Sequence, residues 1–390
     1  MPRAVILVVD GLGAKHLGPY GNTWIETPAL NHLAAESLVL NNVCIPFANP
    51  WKSLDAMWRG ATALGPSLPA LNDQNLLSWL ASKNTVTQLL TDDPDLTDQK
   101  LVAQFTHQTD IDPAGGIRLA DEWDETHTAS FFAQAVSAIE RLSENSMLWL
   151  HTRGLGNPWD APYEYRSRFA DEEDPEPSGS AQVPNLQLDP DYDPDTLHEI
   201  QCGMAGQVTL IDRCVGVLLQ VLQDAPDDIL FVLTSLRGFP LGEHLTVGWH
   251  EVPLYHELMH VPAIVRYPRG EHSMRRWQGI GELRDLTEII CQWFCNQNVI
   301  AEPERQFSLC RSAEEVVLRT PAWQLRFAES IADELSPANL FLKPDDQNEV
   351  NDVASRCDEV VQAGRLYLQG LQHPGESQPA IPEILLQSES

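Results

Sequence analysis

Ala4-Val5-Ile6-Leu7-Val8-Val9-Asp10-Gly11-Leu12 is the stretch that decides the fold. Val5 to Val9 are aliphatic without a break. A short apolar run with no alternation suits a strand buried on both faces, the centre of a parallel sheet. The run ends on a carboxylate, and Gly11 follows it. In open α/β sheets, ligands sit at the carboxyl ends of strands. The spacing therefore places Asp10 where chemistry or metal binding occurs.

The same reading extends outward from there. Thr85 to Leu90, Ser146 to His151, Asp228 to Thr234 and Val261 to Tyr267 read as further strands, as does Leu38 to Leu40. Between them lie helices. Thr27 and Pro28 open one with Leu30, Leu33 and Ala34 as its buried stripe, Thr27 acting as the cap. An amphipathic segment covers Ser53 to Gly60, and longer helices cover Ser130 to Leu142, Leu197 to Leu222 and Gly281 to Phe294. Strands alternating with helices predict a doubly wound, mostly parallel α/β sheet flanked by helices over residues 1–300. From about Pro303 the texture changes. Glu315 to Thr320 and Trp323 to Phe327 predict two strands around a turn at Pro321, with Asn339 to Leu342 as a third and a helix from Val350 to Leu368. This predicts a small α+β subdomain over 301–372, and the polar stretch 373–390 reads as a frayed tail. Residues from about Tyr165 to Thr196 are acidic and Pro-rich, centred on 171–177, and read as a solvated loop that could gate the site.

The chain has 390 residues, 43% hydrophobic and 21% charged, which is the composition of a folded globular protein. Its formal charge of -31 is exceptional and repels nucleic acid and anionic membranes. No nucleic-acid or membrane partner is therefore expected, and no apolar stretch reads as a membrane span. Seven cysteines, odd in number and without a CxxC pair, argue against a disulfide framework or a structural zinc site. Met1-Pro2-Arg3 leads straight into the first strand, with no secretory signal. The expected location is cytoplasmic.

Three separated segments resemble a known family. They are Asp10-Gly11-Leu12 with His16 to Asn22 and Thr27 to Ala34; Leu233 to Gly238 with Gly242-Glu243-His244 and Val261-Pro262; and Leu340 to Ala354 with Asp346, Glu349 and Asn351. Together they resemble the sulfatases of the alkaline phosphatase superfamily. The resemblance implies that fold and hydrolysis of sulfate esters. It also implies a formylglycine nucleophile made from Cys or Ser, and a divalent ion, calcium or magnesium, held mainly by carboxylates.

The positions that match those functional residues depart from the pattern one by one. The family's paired aspartates become Asp10 and Gly11, a change that the phosphodiesterase branch tolerates. The Cys-x-Pro-Ser-Arg nucleophile pattern is matched best by Ala48-Asn49-Pro50-Trp51-Lys52, which puts Ala48 at the nucleophile and Lys52 at the Arg. Ser53 is the nearest hydroxyl, and Cys44 lies upstream. Thr-Ser-Asp-His-Gly reads Thr234-Ser235-Leu236-Arg237-Gly238, so a ligand becomes Leu236 and its neighbour the cation Arg237. The family's later Lys falls near Trp249-His250, and its His-x-Pro-Tyr reads Asp160-Ala161-Pro162-Tyr163.

A divalent ion wants six or more oxygen donors, and a guanidinium at its position repels it. The expectation is that Arg237 replaces the metal and pairs with Asp10, which would be a metal ligand only if an ion is bound. No cofactor is then expected, or a calcium or magnesium ion if the site still functions. Lys52, His151, Asp160 and His250 are the candidate catalytic residues of the pocket. Each also has a structural alternative: a hydrogen-bonded strand-end His151, surface Lys52 and His250, and a turn-shaping Asp160. Trp51, Trp159 and Trp249 either line a pocket or are core. Three readings stay open. The first is a non-catalytic homologue that binds a small-molecule or protein ligand. The second is an active sulfuric- or phosphoric-ester hydrolase using Asp10, Ser53 or His151. The third is an interaction protein using the loop 171–177. Oligomeric state is not legible.

Overall fold

The computed structural model of the chain describes residues 2–63, 68–71, 74–112, 116–224, 229–296, 305–329, 338–372 and 379–387. The predicted strand start at Asp228, the change of texture at Pro303 and the tail start at His373 lie outside the described residues. In chain order the main elements are β1 (Arg3–Val9), α1 (Pro28–Ala35), β2 (Leu38–Cys44), α2 (Pro50–Arg59), α3 (Leu76–Ser82), β3 (Val86–Thr91) and β4 (His107–Asp110). There follow α4 (His127–Glu140), β5 (Ser146–Thr152), α5 (Tyr163–Ser167), α6 (Pro194–Asp224), β6 (Ile229–Thr234), β7 (Ala263–Arg266), β8 (Arg275–Glu282) and α7 (Leu283–Phe294). A second unit holds β9 (Ser308–Arg311), β10 (Glu315–Arg319), β11 (Trp323–Ala328), β12 (Ala338–Leu342) and α8 (Asp358–Gln372).

β1 sits in the middle of the large sheet, whose order is β8-β2-β7-β6-β1-β5-β3-β4. It pairs in parallel with β5 on one side and β6 on the other. β7 runs antiparallel between β2 and β6, so the sheet is mostly parallel. The absence of alternation in Val5 to Val9 now has its physical cause. Ala4, Ile6 and Val8 enter one core with α2, α3 and α7, while Val5, Leu7 and Val9 enter the other with α1, α4 and α6.

α6 passes a length-and-composition test for a membrane span, contrary to the reading of the sequence, but 67% of its apolar window is buried within the protein. It is the central helix of one layer. Its Asp212 also corrects the cap assigned to Thr27. Thr27 Oγ1 accepts from the Gly18 amide instead, and Asp212 takes the amides of Ala29 and Leu30 at 3.1 and 2.8 Å. A carboxylate from another helix satisfies the first turn of α1, where amides are otherwise orphaned.

β9 to β12 form a four-stranded antiparallel sheet covered by α8, one strand more than the sequence predicts. Residues 350–357 are not helical, and α8 starts at Asp358. The expected frayed end differs as well: Leu385 is fully buried, and Trp323 Nε1 donates to Ile384 O at 3.1 Å. The loop after α5 is pinned rather than free, because the buried Arg166 guanidinium donates to the carbonyls of Ser178, Ser180 and Trp159, and Leu186–Gln187 pairs with Thr246–Val247. The acidic residues Asp171 to Asp174 within it are exposed, as a solvated turn requires. His244 joins the two units. Its Nδ1 lies 2.6 Å from Glu257, its ring stacks on Tyr255 at 3.4 Å, and its Nε2 lies 3.3 Å from Glu349 O.

Candidate functional site

Asp10 emerges from the carboxyl end of β1. Its amide donates to Thr152 O at 3.0 Å and its carbonyl accepts from Leu155 at 3.0 Å, so the strand ends of β1 and β5 hold its backbone. The side chain is 4% exposed. Arg237 follows β6, on the other side of β1. Its Nη2 donates to Asp10 Oδ2 at 2.8 Å, and its Nε reaches Oδ2 at 3.1 Å and Oδ1 at 3.3 Å. A planar guanidinium facing a carboxylate with two nitrogens is the strongest form of this pair.

Trp249 closes the arrangement from above. The Arg237 guanidinium carbon lies 3.7 Å from the centre of its indole, a cation–π stack. The ring edge fits against two glycines. A Cβ on Gly11 would lie 3.0 Å from Trp249 Cζ2, and one on Gly156 would lie 2.2 Å from Cη2. Gly11 also has φ of +79°, a conformation that side chains rarely adopt. The position where the resemblance implies a second aspartate therefore has neither the room nor the backbone for one. The indole fills the space beside it.

β5 brings His151 to the same place. It stands in register with Val8, and period two puts it on the face of α2 with Met147 and Trp149. The imidazole is fully buried, and among the described residues neither ring nitrogen has a hydrogen-bond partner. Burial pushes its pKa down to about 4; the Asp10 carboxylate pulls it up, and Arg237 pushes it further down. His151 is thus a neutral imidazole beside an ion pair, stacked on Trp51 with ring centres 6.1 Å apart.

Trp51 and Lys52 lie in the first turn of α2, which starts earlier than the amphipathic pattern suggests. Asn49 caps it, accepting from the Lys52 amide at 3.1 Å, and Pro50 takes the first helical position. Asn49 Nδ2 also donates to Glu251 at 3.1 Å, which ties this helix end to the Trp249-His250 loop. The Lys52 side chain is exposed. His250 is half-buried, and its Nε2 is a buried atom without a partner among the described residues. Ala48 is 2% exposed, with its amide on Arg311 O at 2.9 Å. Leu236 is fully buried in the core shared with α2.

Two candidates leave the site. Asp160 Oδ2 takes both the amide and Nδ1 of His127 at 2.7 Å, so its contacts are with the start of α4 and not with Asp10, Lys52, His151 or His250. It is a helix-end carboxylate paired with an imidazole, and that hydrogen bond raises the pKa of His127. Ser53 is fully buried; its hydroxyl donates to Phe47 O at 2.6 Å and accepts the Phe47 amide at 3.2 Å. Its oxygen is spent on folding the loop before α2. Cys44 is buried among Ser308, Arg319 and Glu282, and burial raises its pKa. Of the three tryptophans, Trp51 and Trp249 belong to the site, and Trp159 packs in the core against Phe239.

Sequence reasoning missed Asp92 and Asp93, which end β3 on the same rim as Asp10. Asp92 takes the Arg153 amide, the Thr152 hydroxyl and Asn157 Nδ2 at 2.7 to 2.9 Å. Asp93 caps the turn after it, and burial lifts its pKa to about 6, with Asp10 among the charges that raise it. The signal was available: Thr91-Asp92-Asp93-Pro94 ends a strand with a carboxylate as β1 does. Among the described residues, no group of three or more His, Cys, Asp or Glu is arranged to hold a metal ion.

A family model described as Sulfatase matches residues 2–295. Among solved structures, the phosphonate monoester hydrolase of Agrobacterium radiobacter superposes with a TM-score of 0.72 at 15% identity, covering 96% of each chain. The phosphonate monoester hydrolase of Silicibacter pomeroyi gives 0.69 at 16% identity, covering 96% of this chain and 95% of its own. A 2-O GAG sulfatase gives 0.69 at 14% identity, covering 94% and 91%. No curated protein matches by sequence.

Proposed function

Because the chain belongs to the sulfatase family, we propose that it keeps the family's frame while Arg237 occupies the place of the family's divalent ion. It then acts as a ligand-binding protein rather than as a metal-dependent ester hydrolase. The observation that carries this reading is the Arg237–Asp10 pair beneath Trp249. On this reading the residues at the rim do not fit calcium or magnesium. Asp10 spends both oxygens on a guanidinium, Leu236 offers no donor, and the indole fills the volume beside Gly11. A cation fixed at that point repels a second one at short range. The covalent route also lacks its atom, since Ala48 stands at the nucleophile position and the Ser53 hydroxyl is bound to Phe47.

His151 does not restore acid–base chemistry. A general base needs an orienting partner and proton traffic, and both of its nitrogens are buried without partners among the described residues. What remains at the rim is a recognition surface: the Arg237–Trp249 stack, exposed Lys52 and half-buried His250. It suits an anionic small molecule better than nucleic acid or a lipid surface, which a chain of charge -31 repels. The described cysteines are all free, which supports a reducing, cytoplasmic location. The test is turnover of an aryl sulfate and an aryl phosphate with calcium, magnesium or manganese added. The expected result is no turnover above background. Turnover that disappears in Asp10→Ala would overturn the proposal.

A further inference from the structure

The joint between the two units holds a titratable ring with an acceptor on each side. His244 Nε2 lies 3.3 Å from the carbonyl oxygen of Glu349, in the small subdomain, and Nδ1 lies 2.6 Å from Glu257 Oε1. A carbonyl can only accept, so Nε2 carries a hydrogen. A second proton then lies between Nδ1 and the Glu257 carboxylate. With both hydrogens His244 is an imidazolium paired with an anion. Burial opposes that charge, but the hydrogen bond to Glu257, its negative charge and the Glu349 carbonyl outweigh it, and the pKa is raised.

The other ionisable groups around the joint have partners of their own. Tyr255 stacks on the His244 ring at 3.4 Å, and Arg326 of β11 donates to the Tyr255 hydroxyl at 2.9 Å and lies 3.8 Å from Glu315. Lys343 reaches one oxygen of the Glu349 carboxylate at 2.9 Å, and the His256 amide reaches the other at 3.1 Å. Burial and the nearby cations keep the His256 imidazole neutral. Lys15 is bound to Glu243, the residue before His244. Glu349 itself has φ of +57°, a left-handed conformation that a side-chain-bearing residue adopts at a cost. Its contacts hold it there.

Removal of the shared proton forces a choice on the ring. A neutral imidazole keeps one hydrogen, and a carboxylate is a stronger acceptor than a carbonyl, so the hydrogen stays on Nδ1. Nε2 then faces the Glu349 carbonyl with a lone pair, and that contact is lost. Glu349 also holds His256 and Lys343, two wall residues of a cavity of about 640 Å³ to which Tyr20 and Asn42 of the large unit and Arg319 of the small one contribute. We propose that the proton shared by His244 and Glu257 is a latch: with it the small subdomain stays docked through Glu349, and without it the joint beside the cavity loosens. Since the pKa is raised above 6.5, the latch is closed below that value and fades as pH rises through the raised one.

The experiment follows two signals of the full chain between about pH 6 and 9. Histidine-labelled NMR reads the His244 titration. Hydrogen exchange, corrected for its intrinsic pH dependence, reads the amides of Leu254 and His256, which donate to Glu315 and Glu349 across the joint. The expected result is a His244 midpoint above 6.5 and a loss of protection of about tenfold across the same titration, the scale of one hydrogen bond. His244→Gln should abolish that step. Glu257→Gln keeps the ring but removes the carboxylate, and should move both the midpoint and the step toward lower pH together. A midpoint at or below 6.5, protection that stays flat through the titration, or a step that persists in His244→Gln would overturn the proposal. Both signals are read without ligand or turnover, so they hold or fail independently of the reading at Asp10.

Discussion

Arg237→Ala removes the cation from a carboxylate side chain that is 4% exposed. At the 2.8 Å separation of the pair, and at an effective dielectric near 20, the gross Coulomb attraction is about 6 kcal/mol. Desolvation of both partners cancels much of it, and breaking a buried pair by removing one member costs about 3–5 kcal/mol. The Arg237 side chain keeps 16% exposure, which places the expected loss toward the lower end. The lost stack on Trp249 adds about 1 kcal/mol. Asp10→Ala should cost less, because the guanidinium keeps its stack and some water. The double variant should be clearly more stable than the sum of the singles, with a coupling of about 2 kcal/mol. Urea unfolding of all four proteins, followed by tryptophan fluorescence, measures the cycle. A coupling below about 0.5 kcal/mol would refute the idea that these two groups act as a unit.

Three other outcomes follow from the same geometry. His151 has its folded pKa pushed below the unfolded value of 6.5, to about 4, so its contribution is intact above 6.5 and is lost as pH falls toward 4. The loss amounts to about 3 kcal/mol, and His151→Leu should flatten that part of the urea-stability profile while raising stability near neutral pH; a less stable variant would count against the unpartnered imidazole. Gly11→Asp should destabilise by about 1–3 kcal/mol, from its positive φ and the contact with Trp249, and should bind no calcium; recovery of stability by calcium would contradict the packing described. The His127 pKa is raised by Asp160, so that pair stabilises most below 6.5 and fades as pH rises through the raised value. Asp160→Asn should return the His127 titration, read by NMR, toward its unpaired value, and an unchanged titration would disprove the pairing.

The reach of the sequence followed the range of the forces involved. β1 and its rim carboxylate were legible because a strand buried on both faces must be apolar at every position. The pairing of Arg237 with Asp10 was legible because an arginine follows Leu236 within Thr234-Ser235-Leu236-Arg237-Gly238, at the end of a strand beside β1. Trp249 over Gly11 was not, since the sequence cannot say which of several tryptophans fills a void left by a missing side chain. Ser53 and Asp160 misled for a related reason: hydroxyls and carboxylates serve loops and helix ends as readily as chemistry, and only their partners distinguish the two uses. Asp212 capping α1 shows the same limit, because its donor amides lie more than 180 residues away.

The central claim is that a guanidinium of the chain itself fills the place of an inorganic cation. Calorimetric titration of calcium into the metal-stripped protein tests it most directly. The account predicts no saturable binding below about millimolar calcium. A stoichiometric site of micromolar affinity that disappears in Asp10→Asn would contradict it.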